Sequence, residues 1–227
     1  MKQILLATVF LFSILISAQE TDTDTSSDQK FSFGAKAGVN FATITKLDDV
    51  FGGDVSGRTS FHAGALSEYS FSEKFSLQLE VLYSELGAKL EYSYDDYGYD
   101  YKVGGGSYFG ENSYELAYLS IPLLAQYYII QYLCLVAGPQ VSFLLAANDK
   151  WKQTEVIGDE TFTNSGEEDI KDQMKSVDMG LAFGANYQFA MGLFFSIRYV
   201  LGITEIFNYY SDPRNNVFQF SAGFKFN

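Results

Sequence analysis

The sequence predicts an all-β protein: an eight-stranded antiparallel up-and-down transmembrane β-barrel with short periplasmic turns and long external loops. Three observations carry that prediction. Apolar and polar residues alternate strictly over many runs, the period of a strand with one greasy and one polar face. Each run is roughly ten residues or more, the length a tilted strand needs to cross a bilayer. The connections alternate long and short, an asymmetry typical of bacterial outer-membrane barrels.

The clearest run is the hairpin 59–89. Its odd positions read Phe61, Ala63, Ala65, Ser67, Tyr69, Phe71, then Phe75, Leu77, Leu79, Val81, Tyr83 across the turn Ser72-Glu73-Lys74. The even positions include His62, Glu68, Gln78 and Glu80. The first strand precedes it over 31–44, with Phe31, Phe33, Val39 and Phe41 opposite Ser32, Lys36 and Asn40. A fourth strand is expected over 115–128 and a fifth over 133–146, joined by a tight turn. The sixth, 177–189, alternates most cleanly, setting Val177, Met179, Leu181 and Phe183 against Asp178, Gly180, Ala182 and Gly184. The seventh (193–204) and eighth (216–227) complete the set, the last carrying Phe218, Phe220, Phe224 and Phe226 on one face. Pro122 and Pro139 flank one short turn and predict local bulges, because proline removes a ladder donor. The stretches 90–114 and 147–176 read as long loops, the second holding the lone Trp151.

Composition agrees. In 227 residues there are 21 Phe, 17 Tyr and 20 Gly, which favours strands over long helices. One Cys and one His supply no disulfide framework and little material for a metal or catalytic centre, so no catalytic, metal or cofactor site is expected. Cys134 reads as a buried free thiol used as a small hydrophobe. A net charge of −13 excludes nucleic acid as a partner, since phosphate contacts need clustered Lys and Arg. Residues 1–18 have the Lys, apolar core and small terminal residue of a cleaved secretory signal, with the cut after Ala18. Residues 19–30 form a polar, acidic leader, and 31–227 form the barrel domain.

Periodicity alone leaves open whether the greasy face points inward or to lipid. The polar face decides for lipid, because Gly, Ser, Asn and Gln dominate it where a water-facing surface would carry Lys and Glu. Aromatics also crowd the strand ends near the short turns, as in an interfacial girdle. Six charges then have inward parity: Lys36, Glu68, Glu80, Asp178, Arg198 and Lys225, three of each sign. Charges at membrane depth face the interior and pair, so these residues predict an interior polar network that fills the barrel. Lys36, Glu80 and Arg198 fall at one depth.

The segments FSFGAKAGVNFATI, FSEKFSLQLEVLYSELGAK, YLSIPLLAQYY, LVAGPQVSFLL, MGLAFGANYQF and FQFSAGFKFN resemble the porin family, PorT-like outer-membrane β-barrel domain, a small barrel of the OmpA/OmpX type. The resemblance implies a Gram-negative cell outer membrane, surrounding outer-membrane lipid and lipopolysaccharide, and insertion by the barrel-assembly machinery. A monomer is expected, with an unknown external ligand. The external candidates are Tyr92, Tyr94, Tyr97, Tyr99, Tyr101 and Trp151, since Tyr with Gly and Ser makes adaptable contact surfaces. The Tyr alternation suggests a ribbon above the membrane whose exposed edge could add a partner strand. Acidic clusters around Asp95–Asp96 and Glu167–Asp172 lack calcium-loop spacing. The alternative to a filled, structural or surface-recognition barrel is a narrow channel for small solutes or ions.

Overall fold

The computed structural model describes residues 31–96, 106–157, 159–210 and 212–226. The signal segment 1–18, the leader 19–30, and Tyr97, Tyr99 and Tyr101 lie outside the described residues. The strands are β1 (Phe31–Thr45), β2 (Asp54–Ser70), β3 (Phe75–Asp96), β4 (Gly106–Ile130), β5 (Leu133–Ile157), β6 (Glu160–Asp169), β7 (Val177–Gln188), β8 (Leu193–Gly202) and β9 (Arg214–Phe226). A short helix, α1 (Leu47–Phe51), follows β1.

Eight of these close a ring. Hydrogen-bonded neighbours run β4–β3–β2–β1–β9–β8–β7–β5, and β4 pairs β5 to complete the circle. All pairings are antiparallel, so a barrel forms without a free edge at membrane depth. The ninth strand, β6, pairs only with the upper part of β5, from Asn148↔Asp169 to Ile157↔Glu160. It stands outside the ring.

The long stretches read as loops are therefore largely strand. β3 continues to Asp96, β4 begins at Gly106, and β5 runs 25 residues to Ile157. With the first turn of β2 and with β6 they build a sheet that rises above the barrel. The Tyr-rich ribbon is not an isolated hairpin: β4 pairs β5 along its full rise, and the outermost strand is β6. Its excess of Gly, Asp and Glu hid this from a reading by propensity, because cross-strand pairing outweighs local preference.

The prolines introduce no bulge. The β3–β4 register is the same at Leu79↔Leu123 as at Leu82↔Ser120, with only the rungs facing Pro122 missing. The same holds between β4 and β5 around Pro139. The register shifts fall elsewhere, between Gly57 and His62, at Ala117/Tyr118, and at Tyr128/Ile130 beside the short turn.

The face assignment is visible in exposure. Leu79, Val81 and Tyr83 on β3, Leu123 on β4, and Ile197 and Leu201 on β8 point outward and are exposed, while Gln78, Glu80 and Arg198 are buried inside. At the short-turn end the outward rings touch: Phe31 to Tyr69 at 4.6 Å, Phe75 to Tyr127 at 5.0 Å, and Tyr132 to Tyr187 at 6.4 Å. This is an interfacial aromatic girdle.

At the other end the alternation inverts. On β3 the outward residues change from Leu79, Val81, Tyr83 to Glu85, Lys89, Glu91, while the inward ones change from Gln78, Glu80 to Leu86, Ala88, Leu90. β4 does the same, with Glu115 outward and Leu116 and Tyr118 inward. Below this line the outside is apolar and the inside polar; above it, water is outside and the interior is an ordinary apolar core. The line marks where the strands leave lipid.

Candidate functional site

The interior is built in two storeys. In the lower one, Glu80 on β3 is the centre. Arg198 on β8 donates to it through both terminal nitrogens, at 2.8 and 2.9 Å, and Lys36 on β1 approaches to 2.8 Å. The fork-to-carboxylate geometry fixes both oxygens, the strongest form of such a pair. Gln78 also donates to Glu80 and accepts from Gln126, which in turn accepts from the Cys134 thiol at 3.3 Å.

Nearer the short turns, Lys225 on β9 pairs with Glu68 on β2 and donates to Gln188 at 3.0 Å. Tyr128 gives Glu68 a further hydrogen bond at 2.8 Å, and the Phe194 ring lies 5.5 Å from the Lys225 ammonium. The six inward charges thus do not form one network. Lys36, Glu80 and Arg198 make one cluster and Glu68 with Lys225 another. Asp178 joins neither. Its oxygens accept from Thr204 and Asn215, each at 2.8 Å, without an ion pair among the described residues. Asp178 lies at the upper end of β7, well above the cations in strand order, so sign balance in sequence did not become pairing in space.

His62 sits between these levels. Its Nδ1 lies 2.7 Å from Asn40 Oδ1 and its Nε2 2.7 Å from Ser221 Oγ. Gln219 donates to the same Asn40 oxygen, and the Asn40 amide reaches Ser84 and the Glu85 carbonyl. A hydroxyl, an imidazole and an orienting group in line have the layout of an acyl-transfer site. His62 is fully buried in the barrel wall's packing, so the trio serves as a satisfied polar cross-tie between β1, β2 and β9.

The upper storey is apolar. Ala42, Ile44, Leu86, Leu90, Leu116, Tyr118 and Leu144 line the mouth, and Leu47, Ile170, Met174, Ile206 and Phe207 descend onto them from the connections. Backbone bonds knit these connections together: Met174 bridges Phe207, Lys175 N–H donates to the Ile206 carbonyl, and Asn208 N–H to that of Gln173. Phe51, Phe207, Tyr114 and Tyr210 close over the top, with ring centroids 5.0 to 6.3 Å apart. A small cavity of about 10 Å³ opens beside Asp178 and Gln140 between the storeys. The sequence reading missed this lid. The inverted alternation at 83–90 could have revealed it.

On the sheet above, Tyr92 and Trp151 share the inner face. Tyr92 stacks near Tyr108, with centroids 6.3 Å apart, and covers Gly110; Trp151 covers Gly166. A Cβ at Gly110 would meet the Tyr92 ring at 2.2 Å, so only glycine admits that ring. Tyr94 lies in β3. The outer face carries an ion-pair belt across four strands: Arg58 to Glu85 and Glu115 at 3.5 and 3.4 Å, Lys150 to Glu115 at 2.8 Å, and Lys89 to Glu111 at 2.9 Å. Partial burial works against ionisation of Glu115, but Lys150 and Arg58 outweigh it and hold the carboxyl below its ordinary range.

A closed antiparallel ring, apolar outside and tied by ions within, defines an integral outer-membrane barrel. The chain belongs to the outer membrane protein beta-barrel domain family, whose model matches residues 17–208. β9 lies beyond that match and supplies the closing strand. No curated protein matches the sequence. Similar solved structures include Ail, the attachment invasion locus protein of Yersinia pestis, at 10% identity over 87% of this chain and 100% of that one, with a TM-score of 0.43. Neisserial surface protein A is 14% identical over 88% and 100%, with a TM-score of 0.38. Escherichia coli outer membrane protein W is 16% identical over 88% and 100%, with a TM-score of 0.37.

Proposed function

We propose that this protein is a closed, non-enzymatic outer-membrane barrel that holds a rigid extracellular sheet for surface recognition. The observation that carries the reading is the two-storey interior: an ion cluster at mid-barrel under an apolar lid. An eight-stranded barrel is just wide enough for its side chains to fill. Transport through it would require the lid to part and the Glu80 cluster to break together. The exposed Tyr209, Tyr210 and Phe51, beside the Tyr92–Trp151 face, offer aromatic contact area ringed by acids at low entropic cost. The same reading includes export by the signal at 1–18, insertion by the barrel-assembly machinery, a monomeric state, and membership of the PorT-like subset suggested by the hairpin and YLSIPLL segments. It also leaves outer-membrane lipid, lipopolysaccharide included, as the barrel's surroundings.

Planar-bilayer recordings of the purified protein test the reading. No steady single-channel openings are expected from the wild type. Steady openings that change with Arg198→Ala or Glu80→Ala would support the narrow channel instead. In the same preparation, a partner bound at the extracellular side should be released by the combined Tyr92→Ser, Trp151→Ser and Tyr210→Ser variant.

A further inference from the structure

The outer face of the raised sheet holds a groove of about 310 Å³ that no part of the barrel's closure uses. Asp54, Glu91, Glu111 and Lys152 form one cross-strand rung of it, and Ser93, Phe109 and Thr154 the next. Directly opposite residues of antiparallel strands share a face, so these side chains converge. Phe109 presents a half-exposed ring, flanked by Ser93 and Thr154 along its rung, with the carboxylates below it. The volume is at the small end for ligand sites, the size of one or two sugar rings rather than of a peptide.

We propose that this groove is a saccharide subsite for neutral or amine-bearing sugars of glycolipids standing beside the barrel in the outer leaflet. The chemistry is that of sugar recognition. Phe109 offers a flat apolar face for ring C–H groups. Asp54, Glu91 and Glu111 are acceptors for hydroxyl or ammonium hydrogens, and Lys152 and Thr154 are donors. Asp54 and Glu91 face the Lys152 ammonium, while Glu111 and Lys89 are tied to each other at 2.9 Å, so the groove keeps a net negative charge. Phosphate and sulfate groups are therefore repelled.

Position identifies the source. Glu91 has the same outward parity as the lipid-facing Tyr83, and the β3–β4 register is unbroken between them. Eight residues at ~3.3 Å each, tilted about 40°, put the groove ~20 Å above Tyr83 on the same face. The groove looks sideways over the membrane surface, toward the head groups of neighbouring lipids. This inference rests on the lipid-facing barrel but not on the closed interior; Tyr92 also lines the groove, but neither Phe109→Ala nor the Glu91→Gln/Glu111→Gln pair alters it, so the two readings fail separately.

The test uses the full-length mature protein in nanodiscs, with retained lipids counted by native mass spectrometry. Two probes are compared: intact lipopolysaccharide and its lipid A, which keeps the acylated diglucosamine anchor but lacks the core and outer sugars. Intact lipopolysaccharide should be held about tenfold more tightly, equivalent to ~1.4 kcal/mol. Phe109→Ala, and separately the Glu91→Gln/Glu111→Gln pair, should erase that preference, while Phe162→Ala on the opposite face of the sheet should keep it. Equal retention of the two lipids, or a preference surviving both outer-face variants, would overturn the subsite. Free oligosaccharide released from the same lipopolysaccharide should bind more weakly than the intact glycolipid; equal binding would overturn the lateral source.

Discussion

At the scale of single residues, Glu80 organises the barrel's centre. Two cations share it, so the three buried side chains carry one net positive charge. Removing the carboxylate by Glu80→Ala strands two buried cations, and that should cost about 3–5 kcal/mol in urea-driven unfolding followed by a heat-modifiable gel shift. Lys36→Met, which leaves the forked Arg198–Glu80 pair intact and neutral, should cost distinctly less. If Lys36→Met proves the more damaging, Glu80 is not the hub. Outside the membrane, Glu115 supplies a pH-dependent contribution. Its folded pKa is depressed, so its stabilisation is present above the ordinary glutamate value and disappears as pH falls through the depressed one. Glu115→Gln should flatten the acid limb of the unfolding profile, at a scale of under ~1 kcal/mol because the belt is solvent-screened.

At the scale of elements, the raised sheet and the lid are separate devices on the same strands. Phe207 packs against Tyr114, Phe51 and Tyr210, and its segment is stitched to 173–175 by backbone bonds. Phe207→Ala should cost about 3–5 kcal/mol locally. Hydrogen exchange should rise across 170–176 and 203–208 while the amides of β1, β8 and β9 stay protected. Exchange rising equally in those strands would mean that lid and wall unfold as one unit.

The ring of eight strands was legible in sequence because lipid enforces strict alternation, and parity placed Lys36, Glu80 and Arg198 at one depth. The grouping of charges was less legible. Asp178 shared their parity but not their height, and height depends on strand stagger around the ring. β6 was illegible because both of its faces meet water, so ETFTNSGEED has no apolar period to detect. The lid escaped notice because its residues come from short connections with no period, meeting inverted strand tips whose change of phase was the available clue.

At the scale of the molecule, the whole account turns on one change of phase along β3. Below Tyr83 the odd positions face lipid and the even ones a polar interior; above it the odd positions face water and the even ones the apolar lid. Spin-label accessibility scanned from 77 to 91, in a Cys134→Ser background and in native-like bilayers, measures this directly. The predicted pattern is high oxygen accessibility at 77, 79, 81 and 83, high accessibility to a water-soluble nickel chelate at 85, 89 and 91, and protection from both at 82, 84, 86, 88 and 90. Nickel accessibility at 79 and 81 would contradict the lipid-facing barrel, and nickel accessibility at the even positions would contradict its seal.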